Sequence, residues 1–192
     1  MRMGNGLKRA VFLDRDGTIN LDTNYLSRPD DLCLIPGAAR AIARLNQARL
    51  AVVVITNQSG LARDFFSEDD LAAVHAELDR LLAAAGARID AYFHCPHHPQ
   101  GVVQSLAIEC DCRKPGTGLV TRAAQEMGLD LRGSFMIGDR PGDVGCALAA
   151  GLTAVRVLSG PDHEEWLEPA HHYADDLAQA VEWILGRLGS GR

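Results

Sequence analysis

Two carboxylates one residue apart, Asp14 and Asp16, close the apolar run Ala10-Val11-Phe12-Leu13. Acids this close repel each other unless a cation lies between them or one holds a proton. A solvated turn is the plain reading of the pair by itself. A calcium loop counted from Asp14 would need Gly at its sixth place and Glu at its twelfth, where the chain has Ile19 and Tyr25. Weight comes from Thr56-Asn57, Lys114, Asp139 and Asp143 further along. Taken one at a time, a Thr-Asn pair after a strand reads as a helix cap and Gly138-Asp139 as a turn. Together, carboxylates at the ends of different strands build an oxygen cage for a hard cation such as Mg²⁺. Lys114 adds a point positive charge, and Thr56 with the N–H groups that follow adds donors. This set suits the oxygens of a phosphoryl group.

Cys95-x-His97 and Cys110-x-Cys112 form a second constellation. Residues two apart on an extended segment point the same way, so each pair acts as a pincer. Four such ligands make a closed, structural tetrahedral Zn²⁺ site that would pin the loop between them. His98 is the competing ligand. Cys33 and Cys146 match no partner and read as ordinary core thiols. His75, His163, His171 and His172 read as solvated or capping residues.

These groups need elements to hold them. Ala10–Leu13 reads as a buried strand and Leu50-Ala51-Val52-Val53-Val54-Ile55, apolar throughout, as another, covered on both faces. Ala91-Tyr92-Phe93, Ser134 to Gly138 and Thr153 to Leu158 give three more. Between them lie helices over 36–46, over 67–85 with Ser67 and Asp70 close to a capping box, over 117–127 and over 141–150. A closing helix is predicted from Tyr173 to Leu188, and Gly189 to Gly191 reads as a loose tail. Asn20 to Ile35 reads as an ordered polar loop. Strand alternating with helix predicts an α/β fold with a doubly wound, Rossmann-like parallel sheet. Its ligands should gather where the polar clusters follow the strands, at the carboxyl edge.

The chain has 192 residues, 47% of them hydrophobic, enough for one core and one domain over 1–192. With 25 acidic against 19 basic side chains and a net charge of −6, it offers no general attraction to nucleic acid or to an anionic membrane. No apolar stretch reaches the roughly twenty residues of a membrane span, and no secretory leader precedes Asp14. Five cysteines, an odd number, argue against a disulfide framework. The expectation is a cytoplasmic monomer acting on a small phosphorylated molecule.

Asp14-Arg15-Asp16-Gly17-Thr18, Thr56-Asn57, Lys114 and Gly138-Asp139 resemble the motifs of the haloacid dehalogenase superfamily of phosphatases. Within it, Thr56-Asn57-Gln58-Ser59-Gly60 and the stretch from Cys95 to Pro115 are similar to the heptose 1,7-bisphosphate phosphatase family. The related histidinol-phosphate phosphatases share the zinc ligands but typically have a shorter loop between the His and the second Cys pair. The long loop between His97 and Cys110 favours the heptose group.

The resemblance implies a Mg²⁺-dependent hydrolase that takes the C7 phosphate from the sugar, in heptose-nucleotide biosynthesis for lipopolysaccharide or S-layer. Asp14 would be the nucleophile, Asp16 the general acid and base, and Thr56 and Lys114 stabilisers of the phosphoryl group. Asp14, the Asp16 carbonyl and Asp139 would hold Mg²⁺, and Cys95, His97, Cys110 and Cys112 would hold Zn²⁺. Family substrate contacts fall on Asp22, Thr23, Asn24 and Tyr25, on Thr56, Asn57, Gln58 and Ser59, and on Arg113, Lys114 and Arg140. A Gly commonly precedes the Tyr in that first loop, where this chain has Asn24. Spacing between the motifs leaves no room for an inserted cap domain. Arg113 and Arg140 are then the natural holders of a second phosphate. A non-catalytic, zinc-stabilised interaction module is the competing class, and it gives no reason for acids at three strand ends.

Overall fold

The first strand, β1 (Ala10–Leu13), is buried along its whole length. A continuous apolar run with no polar alternation demands that, because both of its faces must be covered. In chain order there follow α1 (Ala38–Gln47), β2 (Ala51–Asn57), α2 (Glu68–Ala83), β3 (Ala91–Cys95), α3 (Gly118–Met127), β4 (Phe135–Gly138), α4 (Pro141–Ala149), β5 (Thr153–Val157), β6 (His172–Ala174) and α5 (Leu177–Gly189). This computed structural model describes residues 8–160 and 169–189. His163 and the tail residues 190 and 191 lie outside the described residues, whereas Gly189, expected in the loose tail, is the last residue of α5.

All pairings are parallel and the strand order is β3-β2-β1-β4-β5-β6. The chain winds outward from β1 through β2 and β3, then returns to the other side of β1 for β4. The strand order therefore reverses between β1 and β4, which opens a crevice at their carboxyl ends. Leu13 is level with Val54 on one side and Ile137 on the other. Asp14, Thr56 and Asp139 thus leave the sheet side by side.

Alternate residues of the strands feed two cores. Val11, Leu13, Val52, Val54 and Ile137 pack with Ile42 and Leu45 of α1, Val74 and Leu78 of α2, and Val181 and Ile184 of α5. Ala10, Phe12, Val53, Ile55 and Met136 pack on the opposite face with Leu119 and Val120 of α3 and with Val144 and Ala147 of α4. Each side chain of Val or Leu size so buried contributes about 1.5–3 kcal/mol. At the head of α2, Ser67 accepts from the Asp70 N–H and Asp70 accepts from the Ser67 N–H, completing the expected capping box.

Three further expectations are corrected. Tyr173 does not begin the last helix; His172–Ala174 adds a sixth strand beside β5, and α5 starts at Leu177. Three residues are too few to show a two-residue period, so the neighbouring helical pattern absorbed them. Cys33 is exposed, on the loop before α1, whereas Cys146 is buried as expected. His75 is neither solvated nor a cap, as described below. No inserted domain separates Asp16 from Thr56 or Asn57 from Lys114.

Candidate active site

Lys114 is the hub. Its side chain is 3% exposed, and its Nζ lies 2.6 Å from Asp14 Oδ1, 2.5 Å from Asp143 Oδ1 and 2.7 Å from the Ile55 carbonyl. All three donor sites of the ammonium are therefore spent. Burial would lower the Lys114 pKa, but Asp14 and Asp143 outweigh it and hold the ammonium charged. A pair of Asn57 bonds positions the lysine: the Asn57 amide donates to the Lys114 carbonyl at 3.2 Å and accepts from its N–H at 3.0 Å.

Oxygens of Asp14, Asp139 and Asp143 lie within 4.8 Å of one another. Burial, with Lys114 opposing and Asp143 assisting, pushes Asp14 up to about 6. Burial, then Asp14 and Asp143, push Asp139 up to about 8. Two N–H donors, from Lys114 and from the Arg140 backbone at 3.0 Å, satisfy Asp143. Asp139 is less well provided: Thr18 Oγ1 donates to its Oδ1 at 3.4 Å, and its buried Oδ2 has no hydrogen-bond partner among the described residues. An orphaned buried carboxylate oxygen beside another acid is what a hard divalent cation satisfies. Asp14 and Asp139 therefore fit Mg²⁺, and Asp143 serves as the anchor of Lys114. Gly17 has φ +81° and lies so close that a Cβ there would run into the Asp139 carboxylate. Glycine is thus required both for the turn and for the approach.

Asp16 faces a different set. Arg15, fully buried, grips it through Nε at 3.1 Å and a terminal amino group at 2.8 Å, and Asn20 and Gln58 donate at 2.9 and 3.2 Å. Burial alone would raise Asp16, but the Arg15 charge and these hydrogen bonds outweigh it and hold the carboxyl below its ordinary range. Behind Arg15 stands His75 at 3.4 Å, stacked on Tyr92 with ring centroids 4.3 Å apart. The Tyr92 hydroxyl in turn donates to Asp79 at 2.7 Å. Burial first, then Arg15, drive His75 down to about 3, so it packs as a neutral ring. Sequence reasoning passed over Arg15. A cation set between two acids was the available signal.

Thr56 is buried, and its Oγ1 accepts from the Gln58 amide at 2.8 Å. It opens onto a cleft of about 340 Å³ whose wall includes Asp22, Asn24, Tyr25, Ser59, Arg113 and Arg140. Thr23 is exposed and stands outside that wall. Arg140 is bound to Asp22 at 2.7 Å. Asn24 and Tyr25 have φ of 56° and 58°. Asn tolerates that left-handed backbone better than most residues, which is the physical reason it stands where Gly is common. Two further members of the wall, Arg63 and His98, had no sequence signal as cleft residues.

Cys95, His97, Cys110 and Cys112 converge as the spacing predicted, with donor atoms within 4.8 Å of one another. Sulfur–sulfur distances are 3.2, 3.2 and 3.5 Å, and His97 Nδ1 lies 3.3 Å from Cys112 Sγ. Zn–S bonds of about 2.3 Å in a tetrahedron would separate sulfurs by about 3.8 Å, so the set needs only slight expansion. Burial, and then the hydrogen bond with Cys112, push the Cys95 thiol up. His98 turns away to Arg63, leaving His97 as the ring in the cluster.

Parallel strands that deliver an acid pair, a buried lysine and a cation-ready carboxylate to the sheet's reversal point define a phosphohydrolase of the haloacid dehalogenase-like (HAD) class. The HAD-hydrolase-like family model matches residues 111–180. The D-glycero-D-manno-heptose-1,7-bisphosphate 7-phosphatase of Thermosynechococcus vestitus is 44% identical over 191 residues, covering 93% of this chain and 96% of that protein. The D-glycero-β-D-manno-heptose-1,7-bisphosphate 7-phosphatase of Escherichia coli K12 is 38% identical over 178 residues, with 90% and 93% covered. Among solved structures, the D,D-heptose 1,7-bisphosphate phosphatase of B. bronchiseptica, in complex with magnesium and phosphate, superposes with a TM-score of 0.81 at 36% identity, over 93% of this chain and 99% of that one. The chain belongs to the D-glycero-D-manno-heptose-1,7-bisphosphate 7-phosphatase family.

Proposed function

We propose that the protein is a Mg²⁺-dependent phosphatase that removes the C7 phosphate of D-glycero-D-manno-heptose 1,7-bisphosphate, in heptose-nucleotide biosynthesis. The observation that carries the reading is the buried Lys114–Asp14 pair beside the orphaned Asp139 oxygen, in a chain whose relatives carry that activity in their names. Asp14, the Asp16 carbonyl and Asp139 would hold Mg²⁺, which would supply positive charge to the phosphoryl oxygens and keep Asp14 ionised. Asp14 attacks phosphorus in line and forms the aspartyl-phosphate. The fixed positive charge of Lys114 and the hydroxyl of Thr56 oppose the negative charge that builds on the phosphoryl oxygens. Asp16 protonates the departing sugar oxygen and then deprotonates the water that cleaves the intermediate, a role worth about 10² to 10⁴ in rate. A phosphate dianion brought against Asp16 opposes its negative charge and so favours the protonated form that this step needs.

Asp22, Asn24, Tyr25, Asn57, Gln58, Ser59 and Arg140 line the cleft around the sugar, and Arg113 holds its second phosphate. Cys95, His97, Cys110 and Cys112 bind a structural Zn²⁺ that fixes the loop before Arg113. No described helix is long and apolar enough to cross a membrane, and all five cysteines are unpaired, which supports a cytoplasmic enzyme. The test is Mg²⁺-dependent phosphate release from both anomers of heptose 1,7-bisphosphate and from histidinol phosphate, with Asp14→Asn as the blank. Preference for one bisphosphate anomer, lost in the blank, is expected; preference for histidinol phosphate refutes the substrate.

A further inference from the structure

Arg63 lies in the turn after β2 and lines the cleft together with Arg113 and with His98, which it meets at 3.2 Å. The hydrogen bonds at this rim do not close. His98 Nδ1 accepts from the Gln100 N–H at 3.1 Å. A neutral imidazole with Nδ1 as acceptor carries its proton on Nε2. That Nε2 faces a terminal amino group of Arg63 at 3.2 Å, and a guanidinium only donates. Two donors therefore confront each other. The buried Nε of Arg63 and the buried terminal nitrogen NH1 of Arg113 also have no partner among the described residues. Buried donors left open in this number require an acceptor that can serve several at once. By contrast Arg140, expected to share this work with Arg113, is held by Asp22 at 2.7 Å.

We infer that Arg63 and His98, together with Arg113, form the seat for the phosphate that stays on the sugar. The inference rests on the bisphosphate reading above and adds to it two residues, Arg63 and His98, that hold the second phosphate. A dianion there accepts from the Arg63 fork, from His98 Nε2–H and from Arg113, and turns the donor–donor contact into a bound ion. No bond is made or broken at this seat. Arg63 and His98 act on which substrate is held, and the phosphoryl chemistry belongs to the carboxylates around Lys114.

The experiment compares kcat/KM for heptose 1,7-bisphosphate with kcat/KM for heptose 7-phosphate in the wild type, Arg63→Gln and Arg63→Lys, with thermal melting as the control for folding. Loss of a charge-assisted hydrogen bond lowers the bisphosphate-to-monophosphate ratio on the order of 10- to 100-fold in Arg63→Gln. Arg63→Lys restores part of it, because the charge returns without the fork. Binding of the product heptose 1-phosphate should weaken by a similar factor. A ratio unchanged in Arg63→Gln overturns the seat, as does a wild type that shows no preference for the bisphosphate while still hydrolysing heptose esters. A wild type that hydrolyses no heptose ester refutes the substrate reading instead. The seat is then judged alone, by the same ratio for fructose 1,6-bisphosphate over fructose 6-phosphate.

Discussion

Replacing Lys114 by Met tests whether one buried cation holds the site together. The substitution roughly keeps the length of the chain and removes the charge from between Asp14, at 2.6 Å, and Asp143, at 2.5 Å. Their side chains are 8% and 2% exposed, so water cannot take over the work. Breaking a buried pair from one side costs about 3–5 kcal/mol, because the partner charge stays behind. For a domain of this size about 1 kcal/mol corresponds to about 2–4 °C, so the melting temperature should fall by about 6–20 °C. The fall should be larger at pH 8 than at pH 6. Asp14 is already raised to about 6 with the lysine present, and without it the carboxyl takes a proton more readily at the lower pH. Loss of a preorganised charge from the phosphoryl oxygens should lower kcat by about 10²- to 10³-fold. Circular dichroism melting at the two pH values and steady-state phosphate release measure the two effects. A melting temperature within about 2 °C of the wild type at pH 8, or a kcat within a factor of about ten, would refute the reasoning.

The same acids make metal-free protein sensitive to pH. Asp14 and Asp139 are raised to about 6 and about 8 in the fold, from 3.8. Their contribution is present below the unfolded value and is lost as pH rises through the folded values. Melting temperature without Mg²⁺, with zinc retained, should therefore fall between pH 5 and pH 9, and saturating Mg²⁺ should flatten the curve; equal slopes would count against the carboxylates as the metal site. Stripping Zn²⁺ with 1,10-phenanthroline should lower the melting temperature and expose the three clustered thiols to a thiol reagent, with reversal by Zn²⁺ and not by Mg²⁺. Structural zinc contributes on the order of 10 kcal/mol in small domains, so a melting curve indifferent to the chelator would remove zinc from the account. Arg113→Ala should raise KM for heptose 1,7-bisphosphate about tenfold or more through the loss of a charged hydrogen bond, and far less for a monophosphate. Equal changes for both would show that Arg113 does not bind the second phosphate.

Much of this site could be read along the chain, for a local reason. A fully apolar strand, a capping box and a pincer of ligands two residues apart depend on near neighbours, and Ala10–Leu13, Ser67 with Asp70, and Cys95 with His97 all follow from spacing alone. The acid pair at a strand end and the lysine after the cysteine loop were legible as chemistry because their residue types have few other uses in that combination. The third metal-ready carboxylate followed from the same reasoning.

The tertiary structure decided how these groups share their partners. Lys114 meets Asp14 across 100 residues, and only the parallel register brings Asp139 beside them. Which acid is satisfied and which is left open depends on donors from other elements: Lys114 and the Arg140 N–H take Asp143, and Asp139 Oδ2 is left without one. Arg15 lies between two acids along the chain, but its packing against His75, which is stacked on Tyr92 of a further element, came only with the fold. The pairing of Arg140 with Asp22, and the meeting of Arg63 with His98 across 35 residues, likewise come from loops that converge only once the sheet has formed. Spacing along the chain determines which side chains point together within one element. Burial and long-range pairing, which spacing does not encode, determine their charge and what remains free to bind.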